Sequence, residues 1–345
     1  GVGGCLSDSS STDAGTGTTH HEPTTKRRPT TAAAESTTAE STTDGTNTAA
    51  TATETAARPT LHAAPGDCPD YGDDVVRVVC DDEAPDDAPM VMKPSRAALD
   101  LPGKMTFTLE NDTDTRFNTN FYSARLHKRV DGEWFLVAPQ GWPSPLTPLA
   151  ASESQTWTVS LSGEVQAPAG SDSESDADAL DTSQRNIGGL GGGRYAFGIA
   201  GWFEGGSYKR QTAFAATIDV RGDPVELAPT DAVENVTIDG EVLTARWTGG
   251  SATGEYAREA RYVLERTNKS PDTRLITEQV LQMRGIDDGP LRDALALATE
   301  HGVREVRLTG QTASSPPFGV DYRIIEYDGT AYEVSASETG TETET

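Results

Sequence analysis

The chain has 345 residues, a formal net charge of −26 at pH 7 and a pI near 4.4, a length that suggests about two folded domains. So acidic a chain argues against nucleic-acid binding, because holding phosphates needs clustered Lys and Arg. It also argues against attraction to an anionic lipid surface. No apolar run approaches the roughly 18 residues of a membrane-spanning helix.

The chain begins GVGGC, and Val2-Gly3-Gly4-Cys5 resembles a lipobox: an aliphatic residue, two small ones, then the cysteine to be lipidated. The resemblance implies a signal peptide upstream of Gly1, removed on export. The structural alternative is a spare cysteine at a ragged end. Residues 6–60 are Thr, Ser, Ala, Glu and Pro with almost no large aliphatics. Such a segment cannot bury enough surface to offset an ordering entropy of about 1–2 kcal/mol per residue, so it reads as a disordered, Thr/Ser-rich stalk. His20 and His21 are too isolated for a metal site, and Lys26-Arg27-Arg28 reads as a solvated triplet.

The acidic segment 61–88 carries Cys68 and Cys80 around the β-branched run Val75–Val79, which reads as a strand. In an exported chain these two cysteines are expected to form a disulfide. A zinc site is excluded by the spacing, which is not C-x2-C, and by the lack of further ligands nearby.

From Pro89 to about Gly222 the pattern is period two. Met105, Phe107 and Leu109 alternate with polar residues, as do Trp157, Val159 and Leu161. Asp131-Gly132 is a two-residue hairpin signal between "NFYSARLHKRV" and "EWFLVAP". "RYAFGIAGWF" and "TAFAATIDV" flank Gly205-Gly206. Several short alternating strands predict a β-sandwich. In "LGGGRYAF" the residue Tyr195 is expected to form a tyrosine corner, its hydroxyl returning to the backbone. The succession "MTFTLENDTD", "ARLHKRVDGEWFLV", "SQTWTVSL", "GGGRYAF" is similar to bacterial immunoglobulin-like domains of exported proteins. It covers residues 89–222, interrupted by the acidic insert 167–189. The resemblance implies a sandwich used for display or binding and carries no catalytic residues.

Residues 230–337 mix strands and helices. "VENVTIDGEVLTARW" reads as a hairpin on Asp239-Gly240, and "REARYVLERT" as a strand. "DTRLITEQVLQM" and "PLRDALALATEHG" read as helices, the second bounded by Pro290 and Gly302. Three more strands follow, two of them joined at Asp328-Gly329. This pattern predicts a small α+β domain, with residues 338–345 a disordered tail. The expected class is therefore mainly β: an immunoglobulin-like β-sandwich, then α+β, behind a disordered stalk.

No nucleophile elbow or H-E-x-x-H zinc motif is present. Asp172, Glu174, Asp176 and Asp178 alternate like early calcium-loop ligands, but Ala177 and Ser183 stand where Gly and Glu are required. "GGLGGG" lacks the phosphate-loop pattern. His127 reads as solvated between charged neighbours, and His301 as a helix C-terminal charge. No catalytic residue, metal site or cofactor is therefore assigned. The carboxylates are too numerous for any glycosidase-like pair to stand out. Among Trp134, Trp142, Trp157, Trp202 and Trp247, the loop residue Trp142 and the strand-end residue Trp202 are the candidate binding aromatics; packing over the core is the competing reading. Asn111, Asn235 and Asn268 open N-x-[ST] sequons. High Asp and Glu with little Lys resembles proteins of salt-loving archaea, where a carboxylate surface stays hydrated in concentrated salt.

These features predict an extracellular lipoprotein anchored to the membrane through lipid on Cys5, with a binding or structural role toward surface proteins or glycans and no nucleic-acid partner. The competing expectations are a hydrolase using acids of the C-terminal domain, and a protease-inhibitor-like sandwich acting through the Trp142 loop.

Overall fold

A computed structural model describes residues 68–82, 84, 86–165, 182–250, 256–283 and 290–339. Cys5, the segment 6–60, the calcium-like alternation 172–178 and residues 340–345 lie outside the described residues.

The first twelve strands are β1 (Val75–Cys80), β2 (Met90–Pro94), β3 (Ala98–Asp100), β4 (Gly103–Asn111), β5 (Phe117–Thr119), β6 (Arg125–Val130), β7 (Glu133–Ala138), β8 (Thr147–Leu149), β9 (Glu153–Leu161), β10 (Gln184–Ile187), β11 (Gly193–Phe203) and β12 (Gln211–Arg221). They form an eight-stranded sheet, with β1-β12-β11-β5-β8 as its main path, and a four-stranded sheet in the order β10-β9-β4-β2. The inward residues of both sheets share one core. Phe107 of β4 stacks on Phe197 of β11 at 4.5 Å, and Trp157 of β9 meets the same ring edge-on at 5.8 Å. The period-two alternation of Met105, Phe107 and Leu109 produces this directly, since every second side chain faces the opposite sheet.

The turns follow the dipeptides only in part. At Asp131-Gly132 both φ angles are positive, 52° and 89°, as a type I′ hairpin needs. The acidic segment is not a separate unit, because β1 pairs in parallel with β12 and Cys68 is bonded to Cys80. The end of the expected insert is a strand, β10, paired in parallel with β9. Phe121–Ser123 is a 3-10 turn, capped by the Asn120 side chain, where a continuous strand was expected.

The C-terminal module contains β13 (Val233–Asp239), β14 (Val242–Trp247), β15 (Arg258–Arg266), β16 (Thr273–Leu275), α1 (Thr277–Gln282), α2 (Leu291–His301), β17 (Glu305–Thr312), β18 (Arg323–Tyr327) and β19 (Thr330–Glu338). All seven strands form one mixed sheet, β13-β14-β17-β15-β19-β18-β16. Leu291, Ala294, Leu295 and Ala298 of α2 pack into its core with Tyr262, Leu264, Val306 and Leu308. Gly302 ends α2 at φ 64°, the left-handed conformation that glycine tolerates best. "TRLI" is strand and cap rather than helix, so α1 is only six residues long. The β13–β14 turn is Gly240-Glu241, one residue later than expected, because Asp239 still pairs with Val242. Glu338 closes β19, so order continues past the expected boundary at 337.

Both modules belong to one compact unit. Ile276 of the second module enters the sandwich core. From α1, the Gln279 and Gln282 side-chain amides donate to the carbonyls of Leu136 and Gly188 at 3.1 and 2.6 Å. Glu278 of α1, 4% exposed, pairs with Lys128 of β6, 12% exposed. Its Oε1 also accepts the Gly191 N–H at 3.2 Å.

Candidate functional site

Along β11, Tyr195, Phe197 and Ile199 face the shared core. Ala196, Gly198, Ala200 and Trp202 therefore face outward, and Ala213 and Ala215 of β12 join Ala200 on that side. Small residues leave a shallow trough there, and Tyr71 fills it. A Cβ on Gly198 would stand 2.2 Å from the Tyr71 hydroxyl, so this contact requires glycine. Burial raises the pKa of the Tyr71 hydroxyl, against the pull of Arg125, and among the described residues the hydroxyl has no hydrogen-bond partner.

Beside Tyr71 stands Arg125 of β6. Its Nη1 donates to the Tyr71 carbonyl at 3.0 Å. Its guanidinium carbon lies 5.7 Å from the Tyr71 ring centre and 4.9 Å from that of Trp142, a cation held between two aromatic faces. Burial lowers the Arg125 pKa, against the pull of Tyr71 and Asp70. The Trp142 loop is fixed at its base by Gln140 Nε2 donating to the Val137 carbonyl at 3.0 Å. It is fixed at its crest by Asn120 Nδ2 donating to the Pro143 carbonyl at 2.6 Å.

Trp202 lies on the same outer face, four residues along β11 from Gly198, hence about 13 Å away at strand rise. It is half-buried and meets Tyr208 edge-to-face at 6.5 Å. Tyr208 is 57% exposed. The outer face of the large sheet thus carries Trp202 with the exposed Tyr208 at one end and, at the other, Trp142 against Arg125 over the buried Tyr71. The other tryptophans differ in environment. Trp157 is fully buried and its indole N–H donates to Phe121. Trp247 donates to the buried Asp293, which also accepts from Thr230. Trp134 lies beneath the Arg129 guanidinium.

His127 is buried, contrary to the solvated reading. It sits edge-on to Tyr71 at 5.0 Å, and burial, then Arg125, lowers its pKa to about 3. Although its neighbours in sequence are charged, Tyr71 arrives from more than fifty residues away to cover it. Asn111 is corrected as a glycan acceptor. It is fully buried, and its Nδ2 donates to the carbonyls of Thr115 and Ala150 at 3.0 Å and to Leu149 at 3.4 Å. Asn235 and Asn268 are exposed. His301 is exposed at the end of α2. Tyr195 donates to the Gly191 carbonyl at 2.7 Å, the expected corner.

A second concavity, of about 1140 Å³, lies between the modules and is lined by Lys128, Arg274, Glu226, Glu278, Glu300 and Tyr327 among others. Its buried acid, Glu278, is held by Lys128 and Gly191. Arg274 is bound by Asp131, Glu133 and Glu326. The Lys128–Glu278 pair and the pairs of Arg274 with Asp131 and Glu133 therefore join the modules across this cleft. Among the described residues no cluster of three metal-binding side chains occurs, and no helix is long and apolar enough to cross a membrane.

No family model and no curated protein matches the chain. A solved structure similar over part of it is the β-glucosidase from Listeria innocua in complex with gluconolactone. That match has 14% identity and a TM-score of 0.16, and it covers 40% of this chain and 17% of that one.

Proposed function

We propose that the protein is an exported, membrane-tethered binding protein of the cell surface. In this reading Cys5 carries the lipid, and the Thr/Ser-rich segment spaces the folded body from the membrane. A single acyl chain binds a membrane only marginally, so a second chain or contact would complete the anchor. The immunoglobulin-like character of the sandwich and the salt-adapted acidic surface belong to the same reading.

The observation that carries it is the outer face of the large sheet. Trp142 and Trp202, far apart in sequence, lie on that face with Tyr71, Arg125 and the exposed Tyr208. Aromatic rings with polar tips and a stacked arginine are what binding surfaces concentrate. The cleft between the modules offers less to a hydrolase, because its buried acid is occupied by a lysine.

The test is capture from the cell envelope with the full chain and with Trp142→Ala and Trp202→Ala. A retained partner lost in both variants, at unchanged thermal stability, supports the reading. Capture insensitive to both substitutions, or none at all, refutes it. Mass spectrometry of the N-terminal peptide tests the tether: an unmodified Cys5 with residues 1–4 intact excludes lipidation.

A further inference from the structure

We infer that Asn235 is an N-glycosylation site, and that the glycan it carries covers the exposed edge strand β13. The inference goes beyond the binding face and rests on the export proposed above, because N-linked glycans belong to exported chains. The sequons of the chain differ in their surroundings. Asn111 is buried, with its amide spent on three carbonyls. In Asn268-Lys269-Ser270 the central residue is tied down: Lys269 Nζ donates to the Tyr322 hydroxyl at 2.8 Å and to Glu333 at 2.7 Å. In Asn235-Val236-Thr237 every residue is exposed, and among the described residues the Asn235 amide has no hydrogen-bond partner.

The backbone also sets this acceptor apart. β13 is an edge of the seven-stranded sheet and pairs with β14 alone. Its register slips between Glu234, opposite Arg246, and Thr237, opposite Thr244. Asn235 and Val236 thus share one partner position, a β-bulge, and Asn235 enters the left-handed region at φ 54°. Asn tolerates that conformation better than most residues. A bulge leaves its extra residue out of the ladder and bends the strand, so the acceptor stands clear of the pleat with the Thr237 hydroxyl two residues on. In the transfer, a bond forms between Asn235 Nδ2 and the anomeric carbon of a sugar. The donor is an activated glycosyl phosphate of the export machinery. Its C1–O bond breaks, the phosphate leaves with the electron pair, and the amide gives up one proton.

The place of the acceptor gives the glycan a role. β13 has seven residues, all exposed except Val233, and is the longest edge strand among the described residues. Val236 and Ile238 are 45% and 48% exposed. Unpaired backbone groups beside apolar side chains are a template for strand pairing with another chain. Glu234 and Asp239 place charge near the two ends, while the stretch 235–238 holds none. The opposite edge, β16, has only three residues, and its Arg274 is bound to Asp131 and Glu133 of the sandwich. A hydrated glycan at the centre of β13 protects an edge that charge and packing leave bare.

The test uses the full chain purified from its native host. Tandem mass spectrometry of the peptide spanning residue 235 should find sugar mass on Asn235. Thr237→Ala should abolish it, although Asn235 itself remains, and Thr237→Ser should retain it. Light scattering after size exclusion then reads the shielding at about 1 M salt, where screening suppresses the long-range repulsion of like-charged chains. Thr237→Ala should self-associate at least tenfold more tightly than wild type, and adding Ile238→Lys should restore the wild-type mass. An unchanged melting temperature certifies the variants. An unmodified Asn235 in molecules whose Cys5 carries lipid would overturn the inference and leave the tether standing. A glycan on Asn235 with Cys5 unmodified would remove the tether and support the inference. Both residues unmodified would end both. A Thr237→Ala chain that stays as monomeric as wild type would overturn the shielding role.

Discussion

Replacing Glu278 should uncouple the two modules. The Glu278 carboxylate is 4% exposed and its partner Lys128 12%, so neither charge has water to fall back on. Removing one member of such a pair typically costs about 3–5 kcal/mol, because the survivor is left buried and uncompensated. The Gly191 N–H, 3.2 Å from the lost oxygen, would also lose its acceptor, placing Glu278→Ala at the upper end of that range. For a body of this size, about 2 °C per kcal/mol converts the loss to a drop of roughly 6–10 °C in melting temperature. Urea denaturation of wild type should show one transition, since Ile276, Gln279 and Gln282 bind the modules at the same interface. In Glu278→Ala the C-terminal module should melt first, giving two transitions. The control is the double substitution Lys128→Met with Glu278→Leu. Apolar replacement of a buried pair is often neutral or stabilising, so the double variant should recover most of the loss. A Glu278→Ala shift under about 1 kcal/mol, or a double variant worse than the sum of the singles, would refute the argument.

Other outcomes follow from single residues. Gly198→Ala must displace Tyr71, because the new Cβ would sit 2.2 Å from its hydroxyl and 2.5 Å from the Phe214 carbonyl; a loss of roughly 1–3 kcal/mol is expected by urea titration. Replacing Cys68 and Cys80 by Ser opens a loop of 12 residues' separation and should lower stability by about 3 kcal/mol on the chain-entropy model, read as a lower urea midpoint. His127 stays neutral in the fold down to about pH 3, while the unfolded chain takes up a proton below about pH 6.5. Stability tied to His127 is therefore fully present above pH 6.5 and is lost as pH falls from there toward 3; His127→Gln should flatten the stability–pH slope in that window. Peptide mass spectrometry of protein from its native host should find Asn111 unmodified, since its amide nitrogen already serves three carbonyls.

The alternating strands were legible because one face of each is buried, which writes period two into β4, β9, β11 and β12. Turn chemistry set Asp131-Gly132 and Asp328-Gly329 correctly, and Pro290 and Gly302 bounded α2. Elements of three or four residues were not legible. β10 and β16 are held by a neighbouring strand rather than by any pattern of their own. Of the outer-face aromatics, Trp142 and Trp202 could be picked out as unusual residues in a loop and at a strand end. Tyr71 and Arg125 could not, since what makes them notable is the contact between segments 54 residues apart in sequence. Glu278 was hidden for the same reason: it reads as one acid among many on an amphipathic segment, and its lysine lies 150 residues earlier.

The position of Tyr71 connects the tether to the binding face in the proposed reading. The chain enters the described body at Cys68 and is bonded there to Cys80, at the end of β1. Between the two, β1 extends the large sheet by pairing with β12, and Tyr71 crosses onto the outer face to cover His127 and hold Arg125. Arg125 in turn supports the Trp142 ring. A lipid on Cys5 would therefore load a segment that also organises one end of that outer face. With the disulfide intact, a pull on Cys68 passes through sulfur to Cys80 and bypasses Tyr71 and β1. With it reduced, the same pull acts on Tyr71 first. Reduction should accordingly change the environment of Trp142 before it unfolds the sandwich. A tryptophan fluorescence change on adding dithiothreitol, preceding loss of far-ultraviolet strand signal and absent in Trp142→Phe, would establish that order. Simultaneous loss of both signals would show that the N-terminal segment and the sandwich stand or fall together.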